Sequence, residues 1–227
     1  MIKLSNFYCI TKFKKFYSEF KNKEFNLLDV GCGNHSPSVT KKWFPRAHYF
    51  GIDKGIYNNS EEDLALMERF FSIDLTKTDL SDIPNNFFDL IICSHIIEHL
   101  PNSLDVIKDL SQKLKPKGKI YVEFPSVKSL GFPSAHGTLH FCDDNTHIRL
   151  YSIKDVANAF LESGICVKKA GTSRDILRAF LFLFTLPYQL LFFIKHRKMN
   201  VKYGIWDFFG FAQFVYGEKQ SNQNETL

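Results

Sequence analysis

The feature that most constrains this chain is Leu27-Leu28-Asp29-Val30-Gly31-Cys32-Gly33-Asn34, an apolar run closing on an acid, with two glycines one residue apart. A second short apolar run, Phe50-Gly51-Ile52, ends in Asp53 about twenty residues on. Strand, glycine turn, helix, strand and acid is the order in which an α/β fold holds a nucleotide-like ligand. Gly31 and Gly33 carry no Cβ, so they accept positive φ and let a ligand atom approach the main chain. Ser36 reads as a helix N-cap and Pro37 as a first helical residue, predicting a helix over 37–44 whose free N–H groups favour an anion. Asn34, His35 and Ser36 stand where the dinucleotide fingerprint has its third glycine. A lone Gly-x-Gly also fits a tight strand-to-helix turn that binds nothing.

The pattern continues down the chain. Phe71-Ser72-Ile73-Asp74-Leu75 reads as a third strand ending in an acid, and Phe88 to Ser94 as a central strand buried on both faces. Leu104, Ile107, Leu110 and Leu114 recur at helical spacing, and Lys115-Pro116-Lys117-Gly118 stops that helix. Lys119 to Phe124 reads as a fifth strand. Strands alternating with helices predict an α/β doubly wound, mostly parallel sheet, whose ligand sits at the strand carboxyl ends. Asp29, Asp53, Asp74 and Ser94 close those ends.

These segments resemble the class I S-adenosylmethionine-dependent methyltransferases over roughly residues 25–217. Residues 27–33 look like that family's first motif, Phe88 to Ile91 with Ile97 to Leu100 like its fourth-strand segment, and Leu114 to Lys119 like the turn before its fifth strand. The resemblance implies a seven-stranded sheet and S-adenosyl-L-methionine as cofactor. It places Asp29, Gly31 and Gly33 at the methionine end, Asp53 on both ribose hydroxyls, and Asp74 at the adenine amino group with Leu75 against the ring. Ser94 and His95 would lie beside the methyl-bearing sulfur. His35 stands where many members have a third glycine. A hydride-transferring dehydrogenase fits less well, because a pyrophosphate needs that glycine for close helix packing.

Residues 1–24 are set apart as an N-terminal amphipathic helix. Phe13, Phe16, Tyr17 and Phe20 share one helical face, with lysines mostly elsewhere. That stripe suits packing onto the sheet or contact with a membrane surface. A methyltransferase domain over 25–217 and a polar tail over 218–227 complete the organisation. Within the domain, Val167 to Thr172 and Phe211 to Tyr216 read as sixth and seventh strands, with an apolar insert over about 174–207. Its run from Ala179 to Ile194 carries Pro187 and Gln189 and has basic flanks, Arg174 and Arg178 before and Lys195 to Lys198 after. The expectation is a helical hairpin kinked at Pro187, acting as a substrate cap, a homodimer interface or a peripheral membrane contact through 176–198. A membrane span would have to leave the sheet and re-enter it. The net charge of +5 is a mild basic excess. Five cysteines at 9, 32, 93, 142 and 166 form no Cys-x-x-Cys pair, which suits reduced thiols in a cytoplasm. Lys12, Lys14 and Lys15 interrupt the first apolar region, so no signal peptide is expected. The location these features predict is cytoplasmic, with attachment at the inner face of a membrane.

His95-Ile96-Ile97-Glu98-His99 matches the letters of a zinc-peptidase signature, and on a helix His95 and His99 would lie one turn apart. In this fold the segment follows a buried strand, and the expectation is no metal. The long stretch after the fifth strand holds His136, His140 and His147 ahead of Ser152, which caps a helix containing Val156 and Phe160. Methyl transfer to a hydroxyl needs a proton acceptor, and His140, His147 and His95 are the candidate bases. The predicted function is methyl transfer to a hydroxyl or amine of a small-molecule or glycan acceptor, free or lipid-linked. A non-catalytic cofactor-fold module acting in assembly or membrane association is the alternative. No Asn-Pro-Pro-Tyr-type tetrad follows the fourth strand and no basic stripe is concentrated, so no nucleic-acid partner is expected.

Overall fold

The computed structural model describes residues 11–77, 79–134, 139–196 and 204–221. His136, Cys9, Arg197 and Lys198 lie outside them, as do most of the polar tail and the first ten residues. In chain order the regular elements are α1 (Tyr17–Phe20), β1 (Phe25–Val30), α2 (Ser36–Trp43), β2 (Ala47–Asp53), α3 (Glu61–Ala65), β3 (Arg69–Ser72) and β4 (Phe88–Ser94). They continue with α4 (Ser103–Lys113), β5 (Leu114–Pro125), α5 (Ile153–Glu162), β6 (Ile165–Ser173), α6 (Ile176–His196), α7 (Ile205–Phe209) and β7 (Ala212–Lys219). Seven strands form one sheet in the order β3-β2-β1-β4-β5-β7-β6. The first five run parallel, and β7 is antiparallel to both β5 and β6. The doubly wound expectation holds, including the apolar helical insert ahead of the last strand.

Alternation along each strand divides the core between the two faces of the sheet. On β1, Leu28 and Val30 join one cluster with Ile91, Cys93, Val122 and Phe160, while Leu27 joins a second with Leu90, Ile92 and Tyr121. The N-terminal aromatic stripe completes that second cluster. Phe13, Phe16 and Phe20 are buried, and the Phe16 ring lies against Phe44, Tyr121 and Tyr216. Each such burial stabilises by about 1.5–3 kcal/mol. The stripe therefore packs on the sheet, but not as one helix. A 3-10 turn over Phe13–Lys15 and the short α1 are separated at Phe16, whose φ of −131° and ψ of 2° leave the helical region.

The insert also departs from the expected hairpin. α6 is one 21-residue helix that passes through Pro187. Proline removes one backbone donor, so the Leu183 carbonyl loses its partner four residues on, and the surrounding turns carry the helix across the gap. Only Phe182 and Gln189 are buried along it. The short α7 then leads into β7. Cys32 and Cys93 are buried, and burial together with the nearby Asp29 and Asp53 carboxylates pushes the Cys32 thiol up to about 12. That thiol stays protonated and unreactive at neutral pH.

Candidate active site

The sheet order reverses between β1 and β4, and the strand tips there border a cavity of about 490 Å3. This lies within the roughly 300–1,000 Å3 range of small-molecule sites. Gly31, Gly33, Asn34 and Ser36 line it from the first turn, and Ser94, His95 and Glu123 from the tips of β4 and β5. Lys12, Arg178 and Trp206 border the other side.

The glycine turn has the predicted φ but a different neighbour. Gly31 has a φ of +78°, and a Cβ there would lie 2.0 Å from Ile96 Cδ1. The missing side chain thus admits Ile96 beneath the turn. Ser36 is the first residue of α2 and not its cap. His35 precedes it in the left-handed region at φ 57° with no side-chain cap. The Ser36 hydroxyl instead donates to Asp29 Oδ2 at 2.5 Å, and Tyr49 donates to the same oxygen at 2.7 Å. Asp29 is therefore a buried brace under the turn, one layer back from the cavity lining. His35, in the third-glycine position, reaches Asp63 Oδ2 through Nδ1 at 2.6 Å and ties the turn to α3.

The other acids stand near the predicted tips. Asp53 ends β2 half-exposed, and its Oδ1 accepts from the Lys54 amide at 2.8 Å. Its Oδ2 has no protein donor among the described residues. β3 stops at Ser72, so Asp74 lies just beyond the strand that was expected to carry it. Its Oδ1 accepts from the Thr76 hydroxyl at 2.7 Å and amide at 3.1 Å, and these bonds hold the carboxyl below its ordinary range. Leu75 follows, buried in the core next to that turn.

Of the three candidate bases, only His95 reaches the cavity. It ends the β4 segment in a left-handed conformation, φ 57°, which turns its ring toward Trp206 at 5.4 Å between centroids. Its Nδ1 lies 3.1 Å from Glu98 Oε1 and its Nε2 3.6 Å from Glu123 Oε1. Burial alone would lower its pKa, but the Glu98 hydrogen bond and the charges of Glu98 and Glu123 outweigh that and hold it above the ordinary value. His140 is drawn away by its backbone duties. Its Nδ1 accepts from the Cys142 amide at 3.0 Å, capping a 3-10 turn, and its Nε2 meets the Leu130 carbonyl at 3.0 Å. His147 packs on Phe141 and His99, with Nδ1 2.7 Å from the Phe141 carbonyl. Neither lines the cavity.

Two contributors carried no signal of their own in the sequence. Glu123 reads as an ordinary polar residue in a strand. In the fold its Oε2 accepts from Tyr121 at 2.5 Å and its Oε1 from Ser94 at 3.2 Å, which fixes the carboxylate beside His95. Trp206 belongs to the insert, and its Nε1 is buried without a hydrogen-bond partner.

A family profile described as "Methyltransferase domain" matches residues 4–168. Among relatives, the ubiquinone biosynthesis O-methyltransferase of Rickettsia bellii is 28% identical over 148 residues, covering 62% of this chain and 59% of that protein. Its counterpart from Colwellia psychrerythraea is 31% identical over 133 residues, covering 55% and 53%. The match thus spans little more than half the length of these relatives. Among solved structures, an Archaeoglobus fulgidus SAM-dependent methyltransferase superposes with a TM-score of 0.55 at 16% identity over 91% of each chain. The methyltransferase bound to the Haloferax volcanii Trm112 activator gives 0.65 at 14% identity, over 93% of this chain and 90% of that one. With the profile covering most of its length and the sheet order to match, the chain belongs to the class I methyltransferase-domain family, whose cofactor is S-adenosylmethionine.

Proposed function

We propose that this protein transfers the methyl group of S-adenosylmethionine to a hydroxyl oxygen of an amphipathic small molecule at a membrane surface. The observation that carries this reading is His95, held between two carboxylates where the glycine turn and the tip of β4 meet the cavity. The residues present suit the cofactor. Asp53 keeps one carboxylate oxygen clear of protein donors for ribose hydroxyls, and Gly31 and Gly33 keep the turn low against the cavity. When bound, S-adenosylmethionine supplies a methyl carbon on a positively charged sulfur, a leaving group that needs no further activation.

The chain's own task is then to align, to exclude water and to hold a proton. His95 borders the cavity, and its Nε2, the nitrogen not held by Glu98, accepts the proton that the hydroxyl gives up. Glu98, on Nδ1, fixes the ring. Glu123, itself fixed by Tyr121 and Ser94, faces Nε2 and favours the charge that develops there. Trp206 borders the cavity beside the His95 ring and offers an aromatic face there. The oxygen specificity is supported by the O-methyltransferase names of the bacterial relatives. The amphipathic acceptor is supported by α6, whose apolar side chains are largely exposed and whose first turn brings Arg178 to the border of the same cavity.

Incubation with methyl-labelled cofactor and a total lipid extract, followed by product mass, tests the reading. Conversion by the wild type is expected, with turnover about 100- to 10,000-fold lower for His95→Ala at near-normal cofactor affinity. Asp53→Ala should show the reverse pattern, losing cofactor affinity by up to a few kcal/mol. If calorimetry finds no binding of S-adenosylmethionine or of its demethylated product, the chain is a non-catalytic module instead.

A further inference from the structure

We propose that Lys12 and Arg178 form an oxyanion subsite for the methyl acceptor, which therefore carries a carboxylate or phosphate besides its hydroxyl; this rests on the cavity holding a cofactor and an acceptor together. The charged and titratable side chains bordering the cavity are Lys12, His95, Glu123, Arg178 and Asp207. Both acids are already engaged by protein groups. Glu123 accepts from Tyr121 and Ser94 and faces His95. Asp207 Oδ1 accepts from the Asp175 amide at 2.8 Å, and its Oδ2 stands 3.5 Å from Arg178 Nε.

The two permanent cations are not engaged in this way. Lys12 Nζ lies over the Phe13 ring, 5.4 Å from its centroid, and pairs with no carboxylate among the described residues. Its neighbour Lys14, by contrast, is matched by Asp175. Arg178 meets Asp207 through Nε at a separation beyond a normal hydrogen bond. Its two terminal nitrogens make no hydrogen bond among the described residues. A guanidinium with that fork open takes a carboxylate or phosphate bidentately, and an ammonium on the same wall adds a point charge. Both side chains are half-buried, so their charges act through less water than at an open surface.

The cofactor brings a carboxylate of its own, but its methionine end belongs to the glycine turn and the first turn of α2, where free amide groups favour an anion. Lys12 comes from the N-terminal segment and Arg178 from α6, elements that lie outside the strand–turn–helix unit. Lys12 is also close enough to His95 for its charge to oppose protonation of that ring. The unmatched positive charge thus stands by the base, where the acceptor reacts.

Full-length protein saturated with the demethylated cofactor product, then titrated with inorganic phosphate and separately with acetate, tests the subsite by amide NMR. Saturable shifts at Lys12 and Arg178 are expected, and the tighter anion indicates which group the acceptor carries. Lys12→Gln and Arg178→Gln should each weaken that anion by about tenfold or more, while Lys12→Arg keeps it within about threefold. Lys117→Gln, at the other end of β5, should match the wild type. Affinity for the demethylated product should stay unchanged in every variant. In the labelled-cofactor assay, lipid extract split by anion exchange should carry its label in the acidic fraction. No saturable anion shift, wild-type anion affinity in both Gln variants, loss of product affinity in its place, or label confined to the neutral fraction would overturn the proposal. The last result leaves methyl transfer standing. Label in neither fraction counts against methyl transfer itself, and the titration then decides the subsite alone. Should Arg178→Gln fail to fold, the half-exposed Lys12→Gln decides.

Discussion

At the scale of single residues, the site depends on groups that hold other groups. Asp63 is the clearest case. It lies buried on α3, closes a capping box with Ser60, takes the Ser38 hydroxyl, and meets His35 across the glycine turn. Burial opposes its charge, but the Ser38 hydroxyl, the Ser60 amide and His35 outweigh this and hold the carboxyl well below the usual range. Folding therefore favours the ionised form. Its contribution is complete above the unfolded pKa of about 3.9 and is lost as pH falls from there toward the depressed folded value. Asp63→Asn should lower the urea midpoint at pH 7, and the gap between variant and wild type should close as the pH drops below about 4. A constant gap would mean that the carboxylate's charge contributes nothing.

At the same scale, the placement of Asp29, Asp53 and Ser94 at or next to their strand ends was legible because an apolar run closing on a polar residue is a local pattern. The sequence did not reveal that Asp29 Oδ2 would accept from both Ser36 and Tyr49, since Tyr49 meets it only once β2 pairs with β1. His140 and His147 looked like neighbours of His95 because they share a loop rich in polar groups. Backbone carbonyls and amides had prior use for both rings.

Among the elements, α6 is the one whose surroundings are incomplete. Its apolar side chains point in most directions, with Ile176, Phe184 and Leu191 each more than two-thirds exposed. A helix apolar nearly all round is normally covered by protein or lipid. Its 21 residues are long enough to cross a bilayer. Crossing is opposed by connectivity: Gly204 lies against the Arg178 carbonyl near the start of α6, about 27 Å from His196 by helical rise. A span would bring the chain back through hydrocarbon with unpaired backbone, which lipid does not tolerate. We therefore expect α6 to lie in the interface, near Arg174, Arg178 and Lys195. Flotation with anionic vesicles should recover the wild type and lose most of it for the double variant Phe184→Asp, Leu191→Asp. Equal flotation of both would exclude this helix as the contact, and a concentration-dependent dimer in its place would assign the face to a second copy. The apolar run was readable in sequence; its passage through Pro187 as one helix was not, because proline is a local stop signal that neighbouring turns overrode.

For the molecule as a whole, the aromatic N-terminal segment is part of the core. Phe16→Ala removes a fully buried ring in contact with Phe44, Tyr121 and Tyr216, and should cost about 3–5 kcal/mol in denaturant unfolding. A loss below 1 kcal/mol would show that the segment is only loosely seated. Helical periodicity signalled which side of this segment is apolar. The surface it covers is assembled from α2, β5 and β7, and no local pattern names such a partner.

Lys14 pairs with Asp175, whose amide donates to Asp207 at 2.8 Å, and Asp207 in turn faces Arg178. Lys12 borders the cavity itself. A truncated version begun at β1 would retain every motif by which the family is recognised. It would nonetheless be missing one wall of its own binding chamber, and the charged latch that closes the insert against the sheet would have lost its first member.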